Sequence, residues 1–162
     1  MFRGKLCLAP MVRAGELPTR LLALKNNCDL VWSAELVDKK LLQTNRLINE
    51  KLNSIDYILP NGNIVFRTIP KLEAGKLILQ IGSADPDLAV QAASKVINDV
   101  DGIDLNAGCP KHFSIHSGMG AALLSTPELL CSILENLVKK VGVPNKKPIS
   151  VKIRLLPEQK DT

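Results

Sequence analysis

Five polar residues interrupt or end apolar runs, where a buried side chain needs a reason to be polar: Glu35 after LVWSA, Gln80 within LILQI, Asn106 and Cys109 at the end of GIDLN and in the turn after it, and Lys152 within ISVKIRL. Burying a glutamine or lysine without a partner costs on the order of several kcal/mol, so each is expected to meet something. Cys109 stands between Gly108 and Pro110, residues that set it in a tight turn. A thiol with an unperturbed pKa of about 8.5 holds its proton near neutral pH and can deliver it as a general acid. Gln80 can both donate and accept. Lys152 supplies a fixed cation or, deprotonated, a Schiff-base nucleophile. Each position has a plainer alternative. Cys109 could be a small buried hydrophobe, Asn106 a turn cap and Glu35 a solvated helix start, while Gln80 and Lys152 could reach solvent at a rim.

Such residues need a scaffold that gathers strand ends. Leu6 to Met11 and Leu30 to Ala34 are short apolar runs, each followed by helical spacing. Pro18 suits the first turn of a helix that Asn26-Asn27 ends. After a second helix, YILPNGNIVFRT carries Asn61-Gly62 between apolar runs, which predicts a type I′ hairpin outside the main sheet. Leu77 to Ile81 is a strand, and Asp85-Pro86 opens a helix with Ala89, Ala92, Ala93, Val96, Ile97 and Val100 on one face. Gly102 to Asn106 is the next strand, followed by a glycine-rich loop of about a dozen residues, long enough to suggest function. Thr126-Pro127-Glu128 opens another helix, and Ile149 to Leu155 is the last strand. Strands alternating with helices imply a parallel α/β sheet buried on both faces, doubly wound or barrel. In a barrel, catalytic groups sit at the carboxyl ends of the strands.

Composition narrows the reading by exclusion. At 46% hydrophobic and 23% charged over 162 residues, the chain suits one globular domain with a core. The excess of 21 Lys and Arg over 16 Asp and Glu favours an anionic partner without demanding one. Cys7, Cys28, Cys109 and Cys131 are too scattered for a zinc or thioredoxin-type pair. Cys7, Cys28 and Cys131 are expected in core-like positions. The opening MFRGKLCLAP is too short in apolar length for a signal or membrane span, so reduced thiols and a cytoplasmic location, with the nucleus as the alternative, are expected. Gly118-Met119-Gly120 lacks the third glycine and preceding strand of a dinucleotide fingerprint.

The order of APM (9–11), the glutamine of LQIG (79–82), Asn-x-Gly-Cys-Pro (106–110), GMGAALL (118–124) and VKIR (151–154) resembles the tRNA dihydrouridine synthases over nearly the whole chain. VRAGELPTRLLAL after APM, and GCPKHFS before SGMGAALL, look most like the eukaryotic branch that acts on position 20 of the D-loop. The resemblance implies FMN as cofactor, NADPH as reductant and tRNA as substrate. Hydride would pass from the reduced flavin to C6 of a uracil, and Cys109 would give the proton to C5. Lys152 and Gln80 would meet the pyrimidine edge of the flavin, and Pro10, Met11 and Val12 would line it. Asn106, Glu35 and His116 would contact the target uracil or its surroundings. Lys111 to Gly120 would form a basic lid over the base, with Gly118 and Gly120 as hinges. Many members of the family place a lysine where His116 stands, so the contact is either not preserved here or becomes dependent on pH.

A complete barrel takes eight strands and roughly 250 residues, and holds the FMN phosphate on loops after strands seven and eight. Five strands and four helices are readable here. The expectation is therefore the N-terminal part of a TIM (β/α)8 barrel over residues 1–162, truncated, with no second domain. A missing C-terminal half or a partner chain would complete it. Three alternatives stay open: another FMN barrel acting on a small pyrimidine, a Schiff-base aldolase using Lys152, and a non-catalytic remnant or interaction module.

Overall fold

The computed structural model describes residues 2–156, 158 and 160. Among the described residues nine strands form: β1 (Cys7–Leu8), β2 (Leu30–Trp32), β3 (Leu36–Val37), β4 (Asn45–Asn49), β5 (Ser54–Ile58), β6 (Ile64–Thr68), β7 (Leu77–Gly82), β8 (Gly102–Ala107) and β9 (Ile149–Ile153). The principal helices are α1 (Leu17–Lys25), α2 (Asp38–Leu42), α3 (Pro70–Glu73), α4 (Pro86–Val96), α5 (His112–His116) and α6 (Pro127–Leu137). Five parallel strands pair in the order β1-β2-β7-β8-β9, with β3 also pairing β7. Each of these strands lies beside the one before it in the chain. A doubly wound sheet reverses direction at a switch point, so continuous winding selects the barrel alternative, and the five strands make a half-barrel.

Burial explains which face the helices take. Leu77, Leu79, Ile81, Ile103, Leu105 and Ala107 join Ala89, Ala92, Ala93, Val96, Ile133 and Leu137 in one core. The opposite face holds a small cluster of Leu30, Trp32 and Ile78, then polar groups toward the strand ends. The expectation of a sheet buried on both faces holds along β7 and β8, whose residues are all buried. On the face away from the helices, the buried set on β7, β8 and β9 includes the polar Gln80, Asp104 and Asn106, with Ser150 and Lys152 beside them. Helix α4 begins as expected, with Asp85 accepting from the N–H groups of Asp87 and Leu88 at 2.8 and 2.9 Å.

Other expectations change. The hairpin is part of a three-stranded antiparallel sheet, β4-β5-β6, separate from the parallel one. Its turn is not type I′, which needs positive φ at both central residues. Pro60 and Asn61 keep negative φ and only Gly62 is positive, at 87°, with Gly62 N–H donating to the Leu59 carbonyl at 2.8 Å. Proline at the second turn position favours this ordinary form. Cys7 and Cys131 are exposed rather than core, and only Cys28 is buried. The glycine-rich loop contains α5 and a 3-10 turn over Gly120–Ser125. No helix among the described residues is long and apolar enough to cross a membrane.

A buried ion pair ties the two sheets together. Arg20 on α1 is 1% exposed, and its Nε donates to Glu73 Oε1 at 2.7 Å. Its other nitrogens donate to the carbonyls of Gly15 and Arg67, both at 2.7 Å, and to Glu73 Oε2 at 3.2 Å. Glu73 Oε2 also accepts from Thr68 Oγ1 at 2.8 Å. The pair thereby joins the loop after β1, helix α1, strand β6 and helix α3. Replacing Glu73 with alanine leaves the guanidinium buried and unpaired. The expected result is a loss of about 3–5 kcal/mol of unfolding free energy, read from urea denaturation of Glu73→Ala against the unmodified chain.

Candidate active site

Strand register assembles the site. Gln80 is paired with Asp104, Asp104 with Ser150, and Asn106 with Lys152. Side chains two residues apart share a face, so all five lie on the side away from the helices. At the carboxyl ends of these strands a cleft of about 280 Å³ is lined by Pro10, Met11, Val12, Glu35, Gln80, Asn106, Cys109 and Lys152. His116, and the expected hinges Gly118 and Gly120, are not among the residues lining it. His116 lies exposed on α5, with its Nε2 2.8 Å from that of His112.

Cys109 is partly exposed, and its backbone is held from several sides. Asn106 Oδ1 accepts from the N–H groups of Gly108 and Cys109, both at 3.1 Å. The Cys109 carbonyl accepts from Ala121 N–H at 2.9 Å. Arg154 Nε donates to the Gly108 carbonyl at 2.6 Å, which ties the turn to the end of β9. Gly120, at φ 62°, is packed so closely that an added Cβ would stand 2.6 Å from the Cys109 carbonyl oxygen. Gly120 therefore serves close approach and a left-handed backbone rather than a free hinge.

With Oδ1 held by the Gly108 and Cys109 N–H groups, Asn106 acts here as the turn cap that its residue type allowed. Glu35 Oε1 is buried with no hydrogen-bond partner among the described residues. It lies against Gly82, where an added Cβ would come within 2.3 Å. Burial pushes the Glu35 carboxyl above the ordinary glutamate value, and the nearby Asn106 side chain only partly opposes this.

Sequence reasoning passed over Asp104 and Arg154 as site residues. Asp104 is 2% exposed and accepts from Gln80 Nε2 at 2.8 Å and Ser150 Oγ at 2.6 Å. Burial raises its carboxyl, against the pull of these donors and of the Lys152 charge. Counting back two residues from Asn106 and forward two from Lys152 would have found both.

The donor set suits a flat, imide-bearing ring. Half-exposed Met11 and Val12 offer an apolar surface, Gln80 an amide and Lys152 a cation. Among the described residues no group of three or more His, Cys, Asp or Glu could hold a metal ion.

Glu35 makes stability depend on pH. Its folded value lies above its unfolded one, so the contribution is full below the ordinary glutamate value and is lost as pH rises through the folded value. Urea midpoints between about pH 4 and pH 8 are therefore expected to fall less steeply for Glu35→Gln than for the unmodified chain. The residual slope belongs to groups such as Asp104.

Comparison with known proteins places this geometry. The family model described as Dihydrouridine synthase (Dus) matches residues 7–162. A Saccharomyces cerevisiae protein named tRNA-dihydrouridine(20) synthase [NAD(P)+] is 65% identical over 99% of this chain and 44% of its own length. Its Schizosaccharomyces pombe namesake is 55% identical over 99% of this chain and 34% of its own length. A tRNA-dihydrouridine(16/17) synthase [NAD(P)(+)] from the same fission yeast is 34% identical over 99% of this chain and 36% of its own length. The chain thus spans less than half the length of these curated relatives. With the family model covering almost every residue and the motif cysteine at the end of β8 facing the shared cleft, the chain belongs to the dihydrouridine synthase family.

Proposed function

We propose that this chain supplies the flavin-facing and proton-donating part of a barrel that reduces a D-loop uridine of tRNA, at position 20, to 5,6-dihydrouridine at the expense of NADPH. The observation that carries this reading is the convergence of a thiol, a cation and an amide on one cleft: Cys109, Lys152 and Gln80. FMN, once reduced by NADPH, would supply the hydride that adds to C6 of the uracil.

The residues of the chain account for the rest. Hydride addition at C6 opens the C5=C6 double bond and leaves an enolate that needs a proton at C5. The Cys109 thiol gives that proton and becomes a thiolate, which solvent reprotonates, so the uracil gains one hydride and one proton. The held backbone of the turn fixes the position from which the acid acts, in keeping with the value of prior orientation. Lys152 stabilises negative charge gathered on the pyrimidine edge of the flavin. Gln80 hydrogen-bonds that edge, and Pro10, Met11 and Val12 pack along the ring. Glu35 and Asn106 hold the turn and the wall beside the base. His112, His116 and Lys111 give the segment after Cys109 a basic surface suited to RNA phosphates. The cytoplasm or nucleus is the compartment where such an enzyme meets its RNA.

The test uses a complete enzyme in which this chain replaces the matching segment of the S. cerevisiae relative. Cys109→Ala is expected to retain FMN and to lower single-turnover dihydrouridine formation in tRNA by about 10²- to 10⁴-fold, the usual contribution of a positioned acid. Formation at the unmodified rate would overturn the proposal.

A further inference from the structure

The two ends of the Gln80 side-chain amide are chemical opposites, and only one is left for a ligand. Nε2 donates to Asp104 Oδ2 at 2.8 Å, and the residue is 3% exposed. Asp104 is itself held from the far side, where Ser150 Oγ donates to its Oδ1 at 2.6 Å. Burial raises the Asp104 carboxyl, while the Ser150 and Gln80 donors and the nearby Lys152 cation favour its charged form. In that charged form the carboxylate is an acceptor only. Turning the Gln80 amide over would set its Oε1 against Asp104 Oδ2, two acceptors with no proton between them, at the cost of a buried hydrogen bond. The backbone of Gln80 is anchored as well, its N–H donating to Ser33 Oγ at 3.0 Å. The carbonyl Oε1 is then the end that Gln80 offers to the cleft it lines.

We infer that Asp104 is a positioning residue: it locks the Gln80 amide so that Oε1 accepts from the N–H of a cyclic imide, the O=C–NH–C=O edge that a flavin ring and a uracil share. This role rests on the flavin and uracil reading above and names the atom by which the cleft reads its ligand. A ring whose nitrogen at that place is alkylated, or is itself an acceptor, finds no proton to offer. Register makes the device specific to these three strands, since Gln80, Asp104 and Ser150 stand in one row across β7, β8 and β9.

The experiment compares FMN with 3-methyl-FMN, whose ring nitrogen carries no proton, in the complete exchanged enzyme and its Asp104→Asn variant. Asparagine can donate as well as accept, so Gln80 is freed to take either orientation. Affinity is read at equilibrium from flavin fluorescence, without turnover. The unmodified enzyme is expected to prefer FMN, and Asp104→Asn to shrink that preference about tenfold, the worth of one hydrogen bond to a buried group. Affinity for 3-methyl-FMN should change by no more than about twofold, because that ligand never had the bond to lose.

A second arm compares KM for tRNA bearing uridine or N3-methyluridine at the target position. Shrinkage confined to the flavin arm assigns the imide to the cofactor, and shrinkage confined to the RNA arm assigns it to the substrate; either supports the role of Asp104. Unchanged preferences in both arms, or equal weakening of both members of each pair, overturn it. If circular dichroism shows that Asp104→Asn does not fold, Ser150→Ala removes one anchor of the carboxylate and is read in the same way. About threefold shrinkage is then expected, as for a loosened rather than a lost bond, and no shrinkage overturns the role. An unmodified enzyme that binds no flavin would instead remove the reading on which this role rests.

Discussion

The chemistry of the cleft depends on the lateral register of three parallel strands. Gln80 faces Asp104, Asp104 faces Ser150, and Asn106 faces Lys152. Because side chains alternate along a strand, a slip of one residue would exchange the two faces. Leu79, Ile103, Leu105 and Val151 would leave the helices, and a carboxylate, two amides and an ammonium would enter an apolar core. Desolvation of those groups forbids the exchange. The pattern that packs α4 and α6 against the sheet is therefore the same pattern that aims the polar set. Fold and site are specified by one constraint rather than two.

A second constraint acts from the opposite side of the cleft. The loop after β1, which carries Met11 and Val12, returns through Gly15. The Gly15 carbonyl accepts from Arg20 Nη1 at 2.7 Å and from Ala34 N–H at 3.3 Å. An added Cβ on Gly15 would lie 2.1 Å from the Ala34 nitrogen, so the two backbones touch directly. This contact sets the apolar wall of the cleft against the end of β2, one residue before Glu35. A buried ion pair is weak evidence for stability by itself, since desolvation opposes its Coulombic gain. What the Arg20 and Glu73 pair provides is location. It fixes the small antiparallel sheet to the loop that borders the cleft.

Much of this was legible in the sequence because it rests on local signals. The alternation of apolar strands and helices, the Asp85 cap and the carboxyl-end positions of Glu35, Gln80, Asn106, Cys109 and Lys152 need only neighbouring residues to be read. The misreadings involved longer range. Asn61-Gly62 suggested a type I′ turn, but Pro60 beside it holds φ negative and leaves the positive value to Gly62 alone. Strand β4 is exposed along nearly its whole length, so it carries no burial pattern to detect. Cys7 lies in an apolar run, yet its side chain points to the face that the helices do not cover. Asp104 was hidden inside GIDLN because its partners, Gln80 and Ser150, come from strands 24 and 46 residues away.

The segment between Cys109 and Gly120 has both ends fastened and its middle exposed. The Cys109 carbonyl meets Ala121, Gly120 packs on that carbonyl, and helix α5 arches outward between them. Its outer residues, Lys111, His112, Ile115 and His116, are exposed, while Ser114 beneath them is buried. Drift in the arch can therefore reshape the exposed basic surface, which the proposed function would turn toward RNA, without disturbing the turn at its foot that carries the proposed acid. Under that proposal, chemistry and recognition would share one short stretch of chain yet be free to vary separately.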